Sequence, residues 1–226
     1  MSCDRWAMVD RPTPPGIVVR MNAGQYFETT PDVASDRSEI TLALPDMNLR
    51  LITDRGVFSH TSVDAGTRFL LQEVGVPTGE TMLDLGCGYG PIALTMARRA
   101  PHATVWAVDV NERAVGLCAE NARANGCASV RTVLSTHVPA EVTFDTIWSN
   151  PPIRIGKQAL HAVLALWLPR LRSDGVAMMV VQKHLGADSL TQWIIEQGFT
   201  VDRFASRQGY RLLAVKHAPR STDETA

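Results

Sequence analysis

Along this chain the apolar positions switch repeatedly between a period of two and a period of three to four residues, which marks out strands and helices in alternation. Residues 39–44 and 49–53 alternate apolar and polar side chains on either side of Pro45-Asp46-Met47-Asn48, predicting an N-terminal β-hairpin. A helix is predicted at 64–74, followed by a strand at 81–85, a helix at 91–100 and a strand at 103–109. A helix at 112–125 stops before Gly126, strands follow at 129–134 and 143–149, and a helix at 157–168 precedes a strand at 175–182. The last helix, 187–197, is stopped by Gly198, and strand-like runs at 199–206 and 210–217 flank Arg207-Gln208-Gly209. This order predicts an α/β fold: a mostly parallel sheet with helices on both faces, closed by a C-terminal antiparallel hairpin. Asn111 is placed to cap the helix at 112, with Ala114, Leu117, Cys118 and Ala122 on its apolar side.

The expected organisation is a loose leader at 1–24, one domain at 25–217 and a flexible tail at 218–226. Within the domain, 25–62 form the hairpin extension and 63–217 the core. A chain of 226 residues with 45% hydrophobic content is long enough to bury one sizeable core. Arg11-Pro12-Thr13-Pro14-Pro15-Gly16 lies in a leader without an apolar run, unlike a signal peptide. No stretch approaches the roughly 20 apolar residues of a membrane span. Cys3, Cys87, Cys118 and Cys127 show no C-x-x-C spacing, so free thiols in a reducing cytoplasm are expected. The histidines form no metal-ligand pattern, and no metal is expected.

The chemistry concentrates where strands end. Leu83-Asp84-Leu85-Gly86-Cys87-Gly88-Tyr89-Gly90-Pro91 reads as a buried strand breaking into a glycine turn that opens a helix. Such a turn lets a ligand approach bare backbone. Val105-Trp106-Ala107-Val108-Asp109 is a second apolar strand ending in a carboxylate about 20 residues on, where a ribose diol is gripped. A nucleoside-containing ligand follows. The third glycine comes one residue too early for the dinucleotide fingerprint G-x-G-x-x-G.

The form D-x-G-x-G-x-G resembles motif I of class I S-adenosylmethionine-dependent methyltransferases, in which the acid and the loop hold the amino-acid end of the cofactor. Further on, Phe144-Asp145-Thr146-Ile147-Trp148-Ser149 runs into Asn150-Pro151-Pro152-Ile153, which resembles motif IV of the N-P-P type. Enzymes with that motif methylate a planar, conjugated nitrogen. Its delocalised lone pair makes it a poor nucleophile, and the Asn150 oxygen with the Pro151 carbonyl would accept its two hydrogens and favour a pyramidal nitrogen.

Three stretches together, Asp84 to Ile92, Ala107 to Ala114 and Asn150 to Lys157, resemble the RsmC-like family of small-subunit ribosomal RNA guanine methyltransferases. The likeness runs from about Gln25 to Lys216. It includes Asp54-Arg55-Gly56-Val57-Phe58-Ser59 and Asp64-Ala65-Gly66-Thr67-Arg68, similar to the segment that closes over the cofactor. It implies a Rossmann-like class I methyltransferase sheet and S-adenosylmethionine as cofactor. By residue, it implies cofactor contacts from Asp84, Gly86, Cys87, Gly88, Gly90, Asp109, Val110, Ser135, Thr136 and Asn150, and catalysis at Asn150, Pro151, Pro152 and Ile153. Two departures stand out: the best-known members carry an additional, degenerate methyltransferase-like half in front, for which this length leaves no room, and members commonly place an aromatic where Ile153 stands.

Net charge is −1, yet from Asn150 to His217 nine Lys or Arg face four acids. Arg154 and Lys157 directly follow the Asn-Pro-Pro motif, where a polyanion would enter, and are the expected substrate contacts. The expected partner is RNA, namely ribosomal RNA or the small ribosomal subunit, with the exocyclic amine of guanine as target. A protein glutamine or small-molecule amine, and a non-catalytic cofactor-sensing or RNA-binding module, are the alternatives.

Overall fold

Residues 33–219 are described by a computed structural model; the leader expected at 1–24, Cys3 and the tail from residue 220 lie outside them. Strands β1 (Ser38–Leu44) and β2 (Met47–Thr53) form a separate antiparallel hairpin. Leu44 sits opposite Met47, so the turn is Pro45-Asp46 alone and is tighter than the four residues expected. Alternation along the pleat puts Leu42, Leu44, Leu49 and Leu51 on one buried face.

There follow α1 (Ala65–Glu73), β3 (Thr81–Leu85), α2 (Pro91–Arg99), β4 (Thr104–Asp109), α3 (Glu112–Ala124) and β5 (Val130–Leu134). The second half comprises β6 (Phe144–Ser149), α4 (Lys157–Trp167), β7 (Leu171–Gln182), α5 (Ala187–Glu196), β8 (Phe199–Arg207) and β9 (Tyr210–His217). Seven strands lie in the order β5-β4-β3-β6-β7-β9-β8. Only β9 runs against its neighbours; the other adjacent pairs are parallel.

Strand β7 starts four residues before the expected boundary. Phe144 pairs with Leu171, then an irregularity brings Thr146 opposite Val176. Gly175 allows this close passage, since a Cβ there would sit 2.8 Å from the Asp145 carbonyl. The exposed Arg172-Ser173-Asp174 interrupts the apolar pattern and conceals the strand's first half in the sequence.

Successive residues of each central strand face opposite sides, and two cores result. Met82, Val105 and Ala107 pack with α1, α2, α3 and the hairpin, whereas Leu83, Ile147 and Met179 pack with α4 and α5. Asn121 on α3, fully buried, pins the hairpin to the first core. Its Oδ1 accepts from Ile52 N at 2.7 Å, and its Nδ2 donates to Ile52 O and to Tyr89 O, each at 2.8 Å. Arg99 makes a second tie, reaching Asp46 in the hairpin turn at 2.8 Å and the Leu71 carbonyl near the end of α1 at 3.0 Å.

Candidate active site

The strand order reverses about β3, whose neighbours are β4 and β6, and such switch points open a crevice beyond the carboxyl ends of the strands. The register levels those ends. Leu85 pairs with both Val108 and Ser149, and Asp109 pairs with Leu134. The glycine loop, Asp109, Ser135 and Asn150 therefore leave the sheet at one height.

The glycine loop is tied down by its own backbone. Gly86 N and Cys87 N donate to the Val108 carbonyl at 2.8 and 3.0 Å, and Gly90 N donates to Cys87 O at 2.9 Å. Gly90, at φ 96°, is required at the start of α2, because a Cβ there would lie 2.7 Å from Cys118 Sγ. Gly86, at φ +80°, faces open space instead, with nothing within 4 Å of a built Cβ.

Asp84 is fully buried beneath this loop. One carboxylate oxygen accepts from Ala93 N at 2.8 Å; the other, Oδ1, is buried with no partner among the described residues. Burial pushes the Asp84 carboxyl well above the usual carboxylate range, the Ala93 amide opposes that rise and the nearby Asp109 adds to it. Asp109 accepts from Gly88 N at 2.9 Å and from Asn111 N at 3.0 Å. Burial raises its carboxyl too, against the backbone amides of Asn111, Gly88 and Val110. An open glycine cradle with one orphaned and one fixed carboxylate is short of cations and donors. A ligand bearing an ammonium, a sulfonium and ribose hydroxyls fits that need.

Around this centre, Val110 is half-buried beside Asp109, and Ser135 and Thr136 sit in a 3-10 turn, Ser135–His137, directly after β5. Cys87 is buried, and its thiol is pushed well up by the Cys118 thiol and by burial, which suits a space-filler and not a nucleophile. Asn111 caps α3 as expected, accepting from Arg113 N at 2.9 Å.

Asn150 emerges from β6, anchored by its neighbour: Ser149 Oγ donates to the Leu85 carbonyl at 2.7 Å. Its Nδ2 donates to Asp64 Oδ1 at 2.7 Å and to Thr67 Oγ1 at 3.0 Å. Asp64 is itself fixed, since the same oxygen caps α1 by accepting from Gly66 N and Thr67 N at 2.8 and 3.1 Å. Asn150 Oδ1 accepts no hydrogen bond from any described residue. Pro151 is buried and its carbonyl accepts from Ile153 N at 2.8 Å; Pro152 is exposed, and the half-buried Ile153 packs against the second core.

The basic residues divide by partner. Arg172 pairs with Asp145 at 2.8 Å, Arg211 with Asp188 and Arg207 with Glu73 at 3.6 Å, while Arg170 lies over the Trp167 ring at 4.7 Å. Arg154 and Lys157 are exposed and have no hydrogen-bond or ion-pair partner among the described residues. Lys157 also opens α4, a poor place for a cation unless an anion is near. Among the described residues no helix is long and apolar enough to cross a membrane, and no cluster of three or more His, Cys, Asp or Glu is placed to hold a metal.

A doubly wound sheet closed by an antiparallel pair, with a glycine loop and a strand-end Asn-Pro-Pro at its switch point, defines a class I S-adenosylmethionine-dependent methyltransferase. The chain belongs to the methyltransferase small domain family, whose model matches residues 48–214. It is 36% identical over 195 residues to the uncharacterized protein YbxB of Bacillus subtilis (strain 168), covering 84% of this chain and 97% of that one. To ribosomal RNA small subunit methyltransferase C of Shewanella sp. (strain MR-4) it is 30% identical over 165 residues, 70% of this chain and 48% of the relative. The T. thermophilus 16S rRNA N2 G1207 methyltransferase (RsmC), solved in complex with AdoMet and guanosine, superposes with a TM-score of 0.69 at 25% identity, covering 83% of this chain and 52% of that one. The chain thus spans about half the length of these two ribosomal RNA methyltransferases.

Proposed function

We propose that the protein methylates an exocyclic amine of guanine in RNA, the small-subunit ribosomal RNA being the substrate. The observation that carries this reading is the fixed carboxamide of Asn150. Its nitrogen is committed to Asp64 and Thr67, which leaves its oxygen as an acceptor without a partner among the described residues. An incoming amine N–H donates to that oxygen, and a second N–H meets the remaining lone pair of the Pro151 carbonyl. Both bonds draw the nitrogen lone pair out of conjugation and aim it along one line, so positioning and polarisation supply the catalysis. S-adenosylmethionine supplies an electrophilic methyl group on its sulfonium sulfur.

In this reading Asp84 and the loop Gly86-Cys87-Gly88 with Gly90 hold the amino-acid end, Asp109 takes the ribose hydroxyls, and Val110, Ser135 and Thr136 flank the adenine. Arg154 and Lys157 meet RNA phosphates at the mouth. The choice of a ribosomal RNA guanine is supported by the two RNA-modifying relatives, one of which was solved with guanosine.

The test is incubation with methyl-labelled cofactor and separate pools of small-subunit RNA, assembled subunits, protein and small amines. Label is expected in guanine of the small-subunit RNA, and Asn150→Ala is expected to lower single-turnover transfer by about 100–1,000-fold. Label confined to protein or to a small amine would overturn the RNA assignment and leave the methyltransferase standing.

A further inference from the structure

A cleft of about 200 Å³ lies between α1 and the β8–β9 turn, beside the Asp64–Arg68 segment. Arg68, Phe69, Gln72, Arg207, Gln208 and Tyr210 line it. It abuts the Asn150 corner: Val63 and Ala65 form its wall, and Asp64 between them holds the Asn150 amide. Tyr210 closes the join, packed so tightly on Gly66 that a Cβ there would sit 2.8 Å from its ring. Its hydroxyl accepts from Gln182 Nε2 at 3.2 Å, which fixes the ring.

The lining is built to receive something. Arg207 lies over the Phe69 ring at 5.3 Å, held by Gln72 at 2.5 Å and Glu73 at 3.6 Å, so its charge is answered and its planar guanidinium is held in place. The Arg68 guanidinium has no hydrogen-bond or ion-pair partner among the described residues, although its backbone N–H donates to the Asp64 carbonyl at 2.9 Å. Gln208 occupies the left-handed region at φ 47°, and with Gly209 at φ 83° it forms the two-residue turn between the paired Arg207 and Tyr210. Such turns favour asparagine, aspartate or glycine at that position, and glutamine there sacrifices local stability. Departures from local preference of this kind gather at functional sites.

We propose that this cleft seats the nucleotide adjoining the methylated one in an RNA strand. Arg68 takes its phosphate, the Arg207–Phe69 stack and Tyr210 offer flat faces to its base, and the Gln208 amide meets the base edge. The volume suits one ribose-phosphate or one base, being below the range of sites that enclose a larger ligand. Flat faces beside an unanswered cation suit a nucleotide better than an acidic peptide, which needs charge without stacking. The inference rests on the RNA reading of the Asn150 site.

The experiment measures binding of a fluorescein-labelled short single-stranded RNA by anisotropy across a salt series, for the parent, Arg68→Ala and Gln208→Gly. Arg68→Ala is expected to weaken binding about tenfold or more, as one charge-assisted hydrogen bond is lost, and to lower the salt slope by about one. Gln208→Gly relieves the turn, so it is expected to raise Tm and yet weaken RNA binding. Cofactor affinity by calorimetry is expected to stay at the parental value in Gln208→Gly, and the circular dichroism spectra of both variants to match the parent, which reports that the fold is intact. Parental RNA affinity and salt slope in both variants would overturn the cleft assignment alone. A parent that binds no RNA, or binds an acidic peptide in its place, would overturn the cleft assignment and the RNA reading together.

Discussion

Asn150 donates from its side-chain nitrogen to the Asp64 carboxylate across 2.7 Å, joining the end of β6 to the cap of α1 from 86 residues away in the chain. A carboxylate oxygen only accepts, so the contact dictates which end of the amide faces it. The helix cap thereby decides that the Asn150 oxygen, and not its nitrogen, is left without a protein partner among the described residues. Stability of α1 and orientation of the Asn150 amide share one oxygen atom.

Asp64→Asn retains a capping oxygen for Gly66 N but removes the charge that fixes the Asn150 amide. We expect single-turnover methyl transfer to fall about tenfold to 100-fold, with cofactor affinity and Tm nearly unchanged. Thr67→Val, which removes the second acceptor at similar shape, should give a smaller loss in the same direction. Parental transfer rates in both variants would show that Asn150 needs no external orientation.

Asn121→Ala tests the joint between hairpin and glycine loop. The change strands Ile52 N, Ile52 O and Tyr89 O, which the single carboxamide now satisfies. We expect a loss of about 2–4 kcal/mol in chemical denaturation, because groups left unpaired in the interior carry their desolvation cost. A change within about 0.5 kcal/mol, the ordinary range of surface substitutions, would mean that water replaces the amide.

Much of this was legible in the sequence because it is local. The strand-to-helix glycine turn, the Asn111 cap and the Asn-Pro-Pro corner each rest on contiguous residues, and periodicity orders the elements between them. What escaped is long-range. Nothing near Asp64 announces Asn150, nothing near Asn121 announces Ile52, and the stretch before Gly175 continues β7 although its exposed polar residues read as a loop. The excess of basic residues after Asn150 likewise did not reveal that Arg172, Arg207 and Arg211 are answered by acids while Arg154 and Lys157 are not. The partners of such side chains are set by topology, which a pattern along the chain does not encode.

Arg154→Ala with Lys157→Ala separates phosphate steering from chemistry at the mouth of the crevice. Both residues are exposed and unpaired, so their removal should leave Tm and cofactor affinity intact. RNA affinity should fall and its salt slope decrease by about two, one for each lost phosphate contact. Removing a cation from the first turn of α4 should even favour that helix slightly. An unchanged salt slope would return both residues to ordinary solvated surface.

Asp84 sets the sharpest pH-dependent expectation. Its carboxyl is raised in the folded state by burial, so the folded protein holds its proton more tightly than the unfolded chain does. The sign follows from that order: the stability this group contributes is present below the unfolded value and is lost as pH rises through the raised folded value. At pH values above the unfolded carboxyl's range, burying this half-satisfied group therefore works against the fold. Asp84→Asn keeps an oxygen for Ala93 N and discards the charge, so it should raise Tm at neutral pH, with the gain shrinking as the parent is acidified. On the proposed reading, in which Asp84 holds the amino-acid end of the cofactor, the same substitution should also weaken S-adenosylmethionine binding about tenfold or more. Thermal unfolding of both proteins across pH, with and without cofactor, measures both effects. A mutant that is less stable than the parent at neutral pH, or that binds the cofactor equally well, would show that Asp84 serves the fold by capping α2 and not the cofactor.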